Sequence, residues 1–166
     1  NLLIKNNTVD KTNYQGMKIQ ITHASKNAEN ILIENNVFRA NGIHGILLTV
    51  LDSSDYTIKN AIIRNNLIDL TGMPAGSDGI VVSYRNFGSS MQVKVYENTV
   101  TGAYRGIRLD CVDAPNDVLI YNNIISNSSV KDFLVGPKCP GMEVSADSFK
   151  DKFKSGFASI SSKPLV

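Results

Sequence analysis

One nine-residue phrase recurs five times along this chain. It reads NLLIKNNTV at 1–9, NILIENNVF at 30–38, NAIIRNNLI at 60–68, QVKVYENTV at 92–100 and DVLIYNNII at 117–125. An asparagine keeps its place in every copy: Asn7, Asn36, Asn66, Asn98 and Asn123, spaced by 29, 30, 32 and 25 residues. Self-similarity at a period of this size marks a solenoid, with one supersecondary unit per repeat. A second landmark follows each asparagine after 9, 9, 13, 8 and 9 residues. It reads GMKIQI from Gly16, GILLTV from Gly45, GIVVS from Gly79 and GIRLDC from Gly106. In the fifth unit, DFLV from Asp132 takes that place.

Both segments alternate with the period of a strand. In the first, the apolar pairs Leu2/Ile4, Ile31/Ile33, Ala61/Ile63, Val93/Val95 and Val118/Ile120 align from copy to copy and are rich in the β-branched residues that strands favour. Two or three short strands per unit, in the same order each time and with no helix between them, predict a chain that coils. Equivalent strands then stack in parallel about 4.8 Å apart. The fold class expected is all-β: a right-handed parallel β-helix solenoid of about five coils. The aligned asparagine falls at the bend after the first strand, where its tolerance of left-handed backbone is useful. Stacked in register, five such amides form a ladder, each donating to one neighbour and accepting from the other. The glycine before the second strand supplies either a positive φ or a close approach at the next corner. The unequal stretches 23–29, 51–57, 84–91 and 112–116 are read as loops on one face.

The 166 residues are 42% hydrophobic and 19% charged, which suits a folded domain with a real core. A net charge of +2 gives no broad basic field, so no nucleic-acid partner is expected. No apolar run approaches the length of a membrane span. Asparagine is the outlier, with 18 copies. Cys111 and Cys139 lack metal-site spacing and read equally as two buried thiols or as a bonded pair on consecutive coils. The coils are assigned to 1–136. The remainder, 137–166, is read as a cap with a short helix, because Ser145 or Asp147 offers an N-cap, Gly156 a stop, and Phe149, Phe153 and Phe157 an aromatic face. Asn1 already belongs to a repeat, so further coils or another chain are expected at that end.

The pattern NxΦxIxNNxΦ…GIxΦ, where Φ is apolar, resembles the right-handed parallel β-helix repeat of pectate-lyase-like and NosD-like proteins. The resemblance covers about residues 1–136 and implies fold far more specifically than function, since that fold hosts lyases, hydrolases, epimerases, tailspikes and adhesins. Outward positions of the glycine-led strands form two columns, Lys18–Leu47–Val81–Arg108 and Gln20–Thr49–Ser83–Asp110. His23, Tyr84 and Arg85 lie just beyond these strands, and Arg105 precedes the Gly106 corner. In pectate-lyase-like relatives an arginine or lysine serves as the base that takes the C5 proton of a uronate, often beside Ca²⁺. The resemblance implies a catalytic role for Arg108 with Asp110; the alternative reading of that pair is a solvated surface ion pair. The basic, hydroxyl and aromatic groups of the same face, Lys18, Thr49, Ser83, Tyr84, Arg85 and Arg105, are read as binding positions for an extended polyanionic sugar. No cofactor is expected apart from that Ca²⁺, and no protein metal site is read from the sequence. His23 and His44 lack ligand-spaced partners.

Two functional readings follow. In the first the chain is the C-terminal part of a secreted polysaccharide lyase or hydrolase acting on an acidic polysaccharide. In the second it is a non-catalytic stalk, adhesin or tailspike-like module that binds glycan or protein. Both place it outside the cell, secreted or on the cell surface.

Overall fold

A computed structural model of the protein describes residues 1–21, 27–50, 57–84, 90–110, 116–136 and 143–144. Each repeat folds into three short strands. The first repeat gives β1 (Leu2–Lys5), β2 (Thr8–Asp10) and β3 (Met17–Ile21). The second gives β4 (Asn27–Glu34), β5 (Val37–Arg39) and β6 (His44–Val50). The third gives β7 (Thr57–Arg64), β8 (Leu67–Asp69) and β9 (Asp78–Tyr84). The fourth gives β10 (Ser90–Tyr96), β11 (Thr99–Thr101) and β12 (Arg105–Asp110). The fifth gives β13 (Asn116–Tyr121), β14 (Ile124–Ser126) and β15 (Lys131–Val135), and β16 (Glu143–Val144) follows. Strands of one kind pair only with one another and always in parallel. Three sheets result: A (β1-β4-β7-β10-β13-β16), B (β2-β5-β8-β11-β14) and C (β3-β6-β9-β12-β15). Among the described residues there is no helix.

The register follows the sequence alignment. In sheet A, Ile4, Ile33, Ile63, Val95 and Ile120 stand above one another. Ile31, Ile33, Phe38, Ile46, Leu48, Ile63, Ile68, Ile80, Val95, Val100 and Ile107 are among the residues of a single buried core enclosed by the three sheets. Each fully buried aliphatic side chain of this kind contributes about 1.5–3 kcal/mol, so the apolar columns supply most of the driving force.

The asparagines form the expected ladder. Asn7 Nδ2 donates to Asn36 Oδ1 at 2.9 Å, Asn36 to Asn66 at 3.0 Å, Asn66 to Asn98 at 2.9 Å and Asn98 to Asn123 at 2.9 Å. The Oδ1 atoms of Asn36, Asn66, Asn98 and Asn123 also accept the backbone N–H of the preceding ladder asparagine, as from Asn66 N to Asn98 Oδ1 at 3.1 Å. Asn36, Asn66, Asn98 and Asn123 also donate from Nδ2 to a backbone carbonyl of the preceding coil, as from Asn66 to Ile33 O at 3.0 Å. Asn36, Asn66, Asn98 and Asn123 are buried and Asn7 is exposed.

Two expectations are corrected, and one that offered alternatives is decided. The ladder asparagine does not take the left-handed conformation; the residue before it does. Asn6, Asn35, Asn65, Glu97 and Asn122 have φ between 52° and 60°. The two jobs fall to two residues: the first turns the chain between two strands, and the second sends its amide inward. The landmark glycines Gly16, Gly45, Gly79 and Gly106 have no positive φ. They are required by close approach: a Cβ on Gly79 would lie 2.4 Å from Gly106 O and 2.4 Å from Val100 Cγ1. The stretches read as loops are shorter than expected, since β4 begins at Asn27 and β10 at Ser90. β4 and β7 extend by bending at a second left-handed asparagine, Asn30 (φ 54°) and Asn60 (φ 52°). These two stack with Asn1 in a second, exposed ladder, each amide donating at 2.8 Å. Cys111, Cys139 and the helical segment expected in 145–156 lie outside the described residues.

Candidate functional site

Sheet C carries the columns that the sequence places on its outer face. Lys18 pairs with Leu47, Leu47 with Val81 and Val81 with Arg108. Gln20 pairs with Thr49, Thr49 with Ser83 and Ser83 with Asp110. A third column stands one residue before the landmark glycines: His44 pairs with Asp78, Asp78 with Arg105 and Arg105 with Lys131. Parallel stacking thus brings residues 26 to 34 positions apart in sequence into register on adjacent coils.

Asp78 is the hub of this face. Its side chain is 0% exposed, yet carries a carboxylate. Arg105 grips both oxygens, Nε to Oδ1 at 2.6 Å and Nη2 to Oδ2 at 3.0 Å. Arg108 Nη1 reaches Oδ2 at 3.3 Å. A buried carboxylate is tolerable only when paired and hydrogen-bonded, and the forked guanidinium meets both needs. Arg108 is held from its other side by Asp110, with Nε to Oδ1 at 2.9 Å and Nη2 against Oδ2. The Arg105 guanidinium also lies 5.3 Å from the centre of the Tyr104 ring, within cation–π range. His44 Nδ1 sits 3.7 Å from Asp78 Oδ2 and makes no hydrogen bond. Burial pushes the His44 pKa below its ordinary 6.5; Asp78 pulls it up, while Arg108 and Arg105 push it further down. For Arg108, burial works against the charge. The hydrogen bond and charge of Asp110, then those of Asp78, outweigh it and hold the guanidinium above the usual arginine range.

The family model described as right handed beta helix region matches residues 1–164. The chain belongs to the right-handed β-helix family. Its parallel strands and three stacked sheets are that architecture, and right-handed crossovers are what parallel strands require. No curated protein and no solved structure matches the chain. Family membership thus fixes the fold and the repeat, and the chemistry has to come from the side chains on sheet C.

Of the residues singled out from the sequence, Arg108 is tied to Asp110, and Arg105 and Arg108 are both tied to Asp78. The side chains of Arg105, Arg108 and Asp110 are 20%, 23% and 23% exposed. Lys18 is exposed and stands three coils from Arg108 in its column. Thr49 and Ser83, expected to meet a substrate's hydroxyls, are each only 3% exposed. The column they share is outward in register yet covered, so neither hydroxyl faces solvent. Arg85, His23 and the side chain of Tyr84 lie outside the described residues. Among the described residues, no group of three or more His, Cys, Asp or Glu could hold a metal ion. The sequence reading missed Asp78 and weighed His44 only as a metal ligand. The signal was the column one residue before the glycines, where a histidine, an acid and an arginine occupy equivalent positions.

Proposed function

We propose that this β-helix segment binds an acidic glycan along sheet C and does not itself cleave it. The observation that carries the reading is the double clamp on Arg108. A base must be able to lose its proton near neutral pH, and Asp110 and Asp78 together hold this guanidinium charged. The same clamp presets two guanidinium groups on one edge, with Arg105 against the Tyr104 ring and the exposed Lys131 and Lys18 on the same sheet. Cations on several coils of one parallel sheet fit a polymer whose carboxylates recur along its length. A secreted or cell-surface setting, where such polymers occur, goes with this reading.

The test is a binding panel of acidic and neutral oligosaccharides against the wild type and Arg108→Ala. Asp78 keeps both bonds from Arg105 in that variant, so folding is expected to survive. Affinity for the acidic oligosaccharides should fall about tenfold, or about 1.4 kcal/mol. Binding that is unchanged, or equal for neutral oligosaccharides, would remove sheet C as the acidic-glycan site.

A further inference from the structure

Asp78 Oδ2 is approached by three nitrogens: Arg105 Nη2 at 3.0 Å, Arg108 Nη1 at 3.3 Å and His44 Nδ1 at 3.7 Å. Carboxylate oxygens have room for about two strong partners each. The first two nitrogens donate; the third is a buried imidazole atom with no hydrogen-bond partner. The Arg108 bond is the longer of the two that are made. Arg108 also has a second home, because Asp110 holds its Nε and Nη2. Arg105 does not share this freedom, since it binds Asp78 through both oxygens.

We propose that His44 is an acid-operated latch on Arg108: once protonated, its Nδ1–H takes Asp78 Oδ2 and displaces Arg108 Nη1. Arg108 is then held by Asp110 alone, at the surface, where its guanidinium can turn toward an incoming carboxylate. The step is one proton from solvent onto Nδ1, one hydrogen bond formed and one broken. The groups facing His44 allow it. From β9 comes Asp78, which attracts the new charge. From β12 come Arg105 and Arg108, which oppose it, so moving Arg108 outward relieves the repulsion. β3, the neighbour on the other side, has Lys18 as its one charged side chain, exposed and pairing with Leu47 rather than His44. β6 itself carries no other charged residue. His44 being pushed below its ordinary value is consistent with a latch closed at neutral pH and opened by mild acid. The effect on ligand affinity rests on the glycan-binding reading; the motion of Arg108 does not.

The experiment is side-chain NMR of isotopically labelled wild type and His44→Gln, titrated from about pH 8 to about pH 5, where histidine changes charge. Two quantities are read: the His44 titration midpoint, and the rate at which the Arg108 guanidinium rotates about its Nε–Cζ bond. In the wild type, Arg108 rotation should speed up several-fold with a midpoint matching that of His44, while Arg105 stays clamped. In His44→Gln, Arg108 should not respond. Should that variant fold poorly, the coincidence of the two wild-type midpoints decides. The latch is overturned if His44 titrates and Arg108 does not change, if Arg105 loosens equally, if the variant responds like the wild type, or if the protein unfolds before His44 protonates. Titrating an acidic oligosaccharide at both ends of the range separates the two ideas. An Arg108 response without binding at either pH supports the latch and removes the glycan; tighter binding in acid, lost in His44→Gln, supports both.

Discussion

At the scale of the residue, the paired asparagines of the repeat divide one corner between them. The first absorbs a left-handed turn and the second sends its amide into the core. Asn66 shows what the second is worth. Its Oδ1 accepts from Asn36 N and Asn36 Nδ2, and its Nδ2 donates to Asn98, Ile33 and Arg64. Asn66→Ala strands several buried groups at once, each costing about 1–3 kcal/mol when left unpaired. It should lower stability in urea by about 3 kcal/mol or more, well beyond Asn7→Ala at the exposed end of the ladder. Equal losses for the two would mean that the ladder carries little energy. The first position has one weak member. Glu97 stands at φ 54° where the other repeats place asparagine. Left-handed backbone costs an ordinary residue about 1–2 kcal/mol, and asparagine is among the least penalised. Glu97→Asn should therefore raise the melting temperature, and a fall would show that Glu97 makes a compensating contact. From sequence the aligned asparagine was legible as a ladder. The conformational role was not, because adjacent asparagines look alike until φ is known for each.

At the scale of the element, a strand here is specified by the strand above it as much as by its own residues. The glycine column is the clearest case. Each landmark glycine faces the backbone carbonyl at the equivalent place in the next coil: Gly16 faces Gly45, Gly45 faces Gly79, Gly79 faces Gly106 and Gly106 faces Asp132. Asp132 can end the series because the requirement falls on the lower member of each pair. Gly79→Ala forces a contact of 2.4 Å with backbone that cannot yield cheaply. It should cost at least the 1–3 kcal/mol typical of overpacking, read as a lower urea midpoint. A stable Gly79→Ala would show that sheet C can spread locally. The alternation that identified the strands also gave their facing correctly. It could not show that Thr49 and Ser83 would be covered, since alternation tells inward from outward and not open from closed. Asp78 stayed hidden for a related reason. A single aspartate before a glycine is an ordinary turn residue until the coil on one side supplies His44 and the coil on the other supplies Arg105.

At the scale of the whole molecule, stacking converts a sequence period of about thirty residues into a spatial one of about 4.8 Å. Distant residues become neighbours at fixed pitch, which is how one carboxylate comes to organise a histidine from the coil on one side and two arginines from the coil on the other. The repeat made the solenoid and its register readable before any coordinates. Function was less readable, because the fold is shared by proteins that cut polymers and proteins that only hold them. The central claim is that sheet C holds an acidic glycan without cleaving it. The most direct measurement is release of unsaturated uronates from a panel of acidic polysaccharides, with and without Ca²⁺, under conditions where binding is detected. The account predicts retention of the polymer and no release in either case. Release by the wild type that disappears in Arg108→Ala would contradict it and restore Arg108 as a catalytic group.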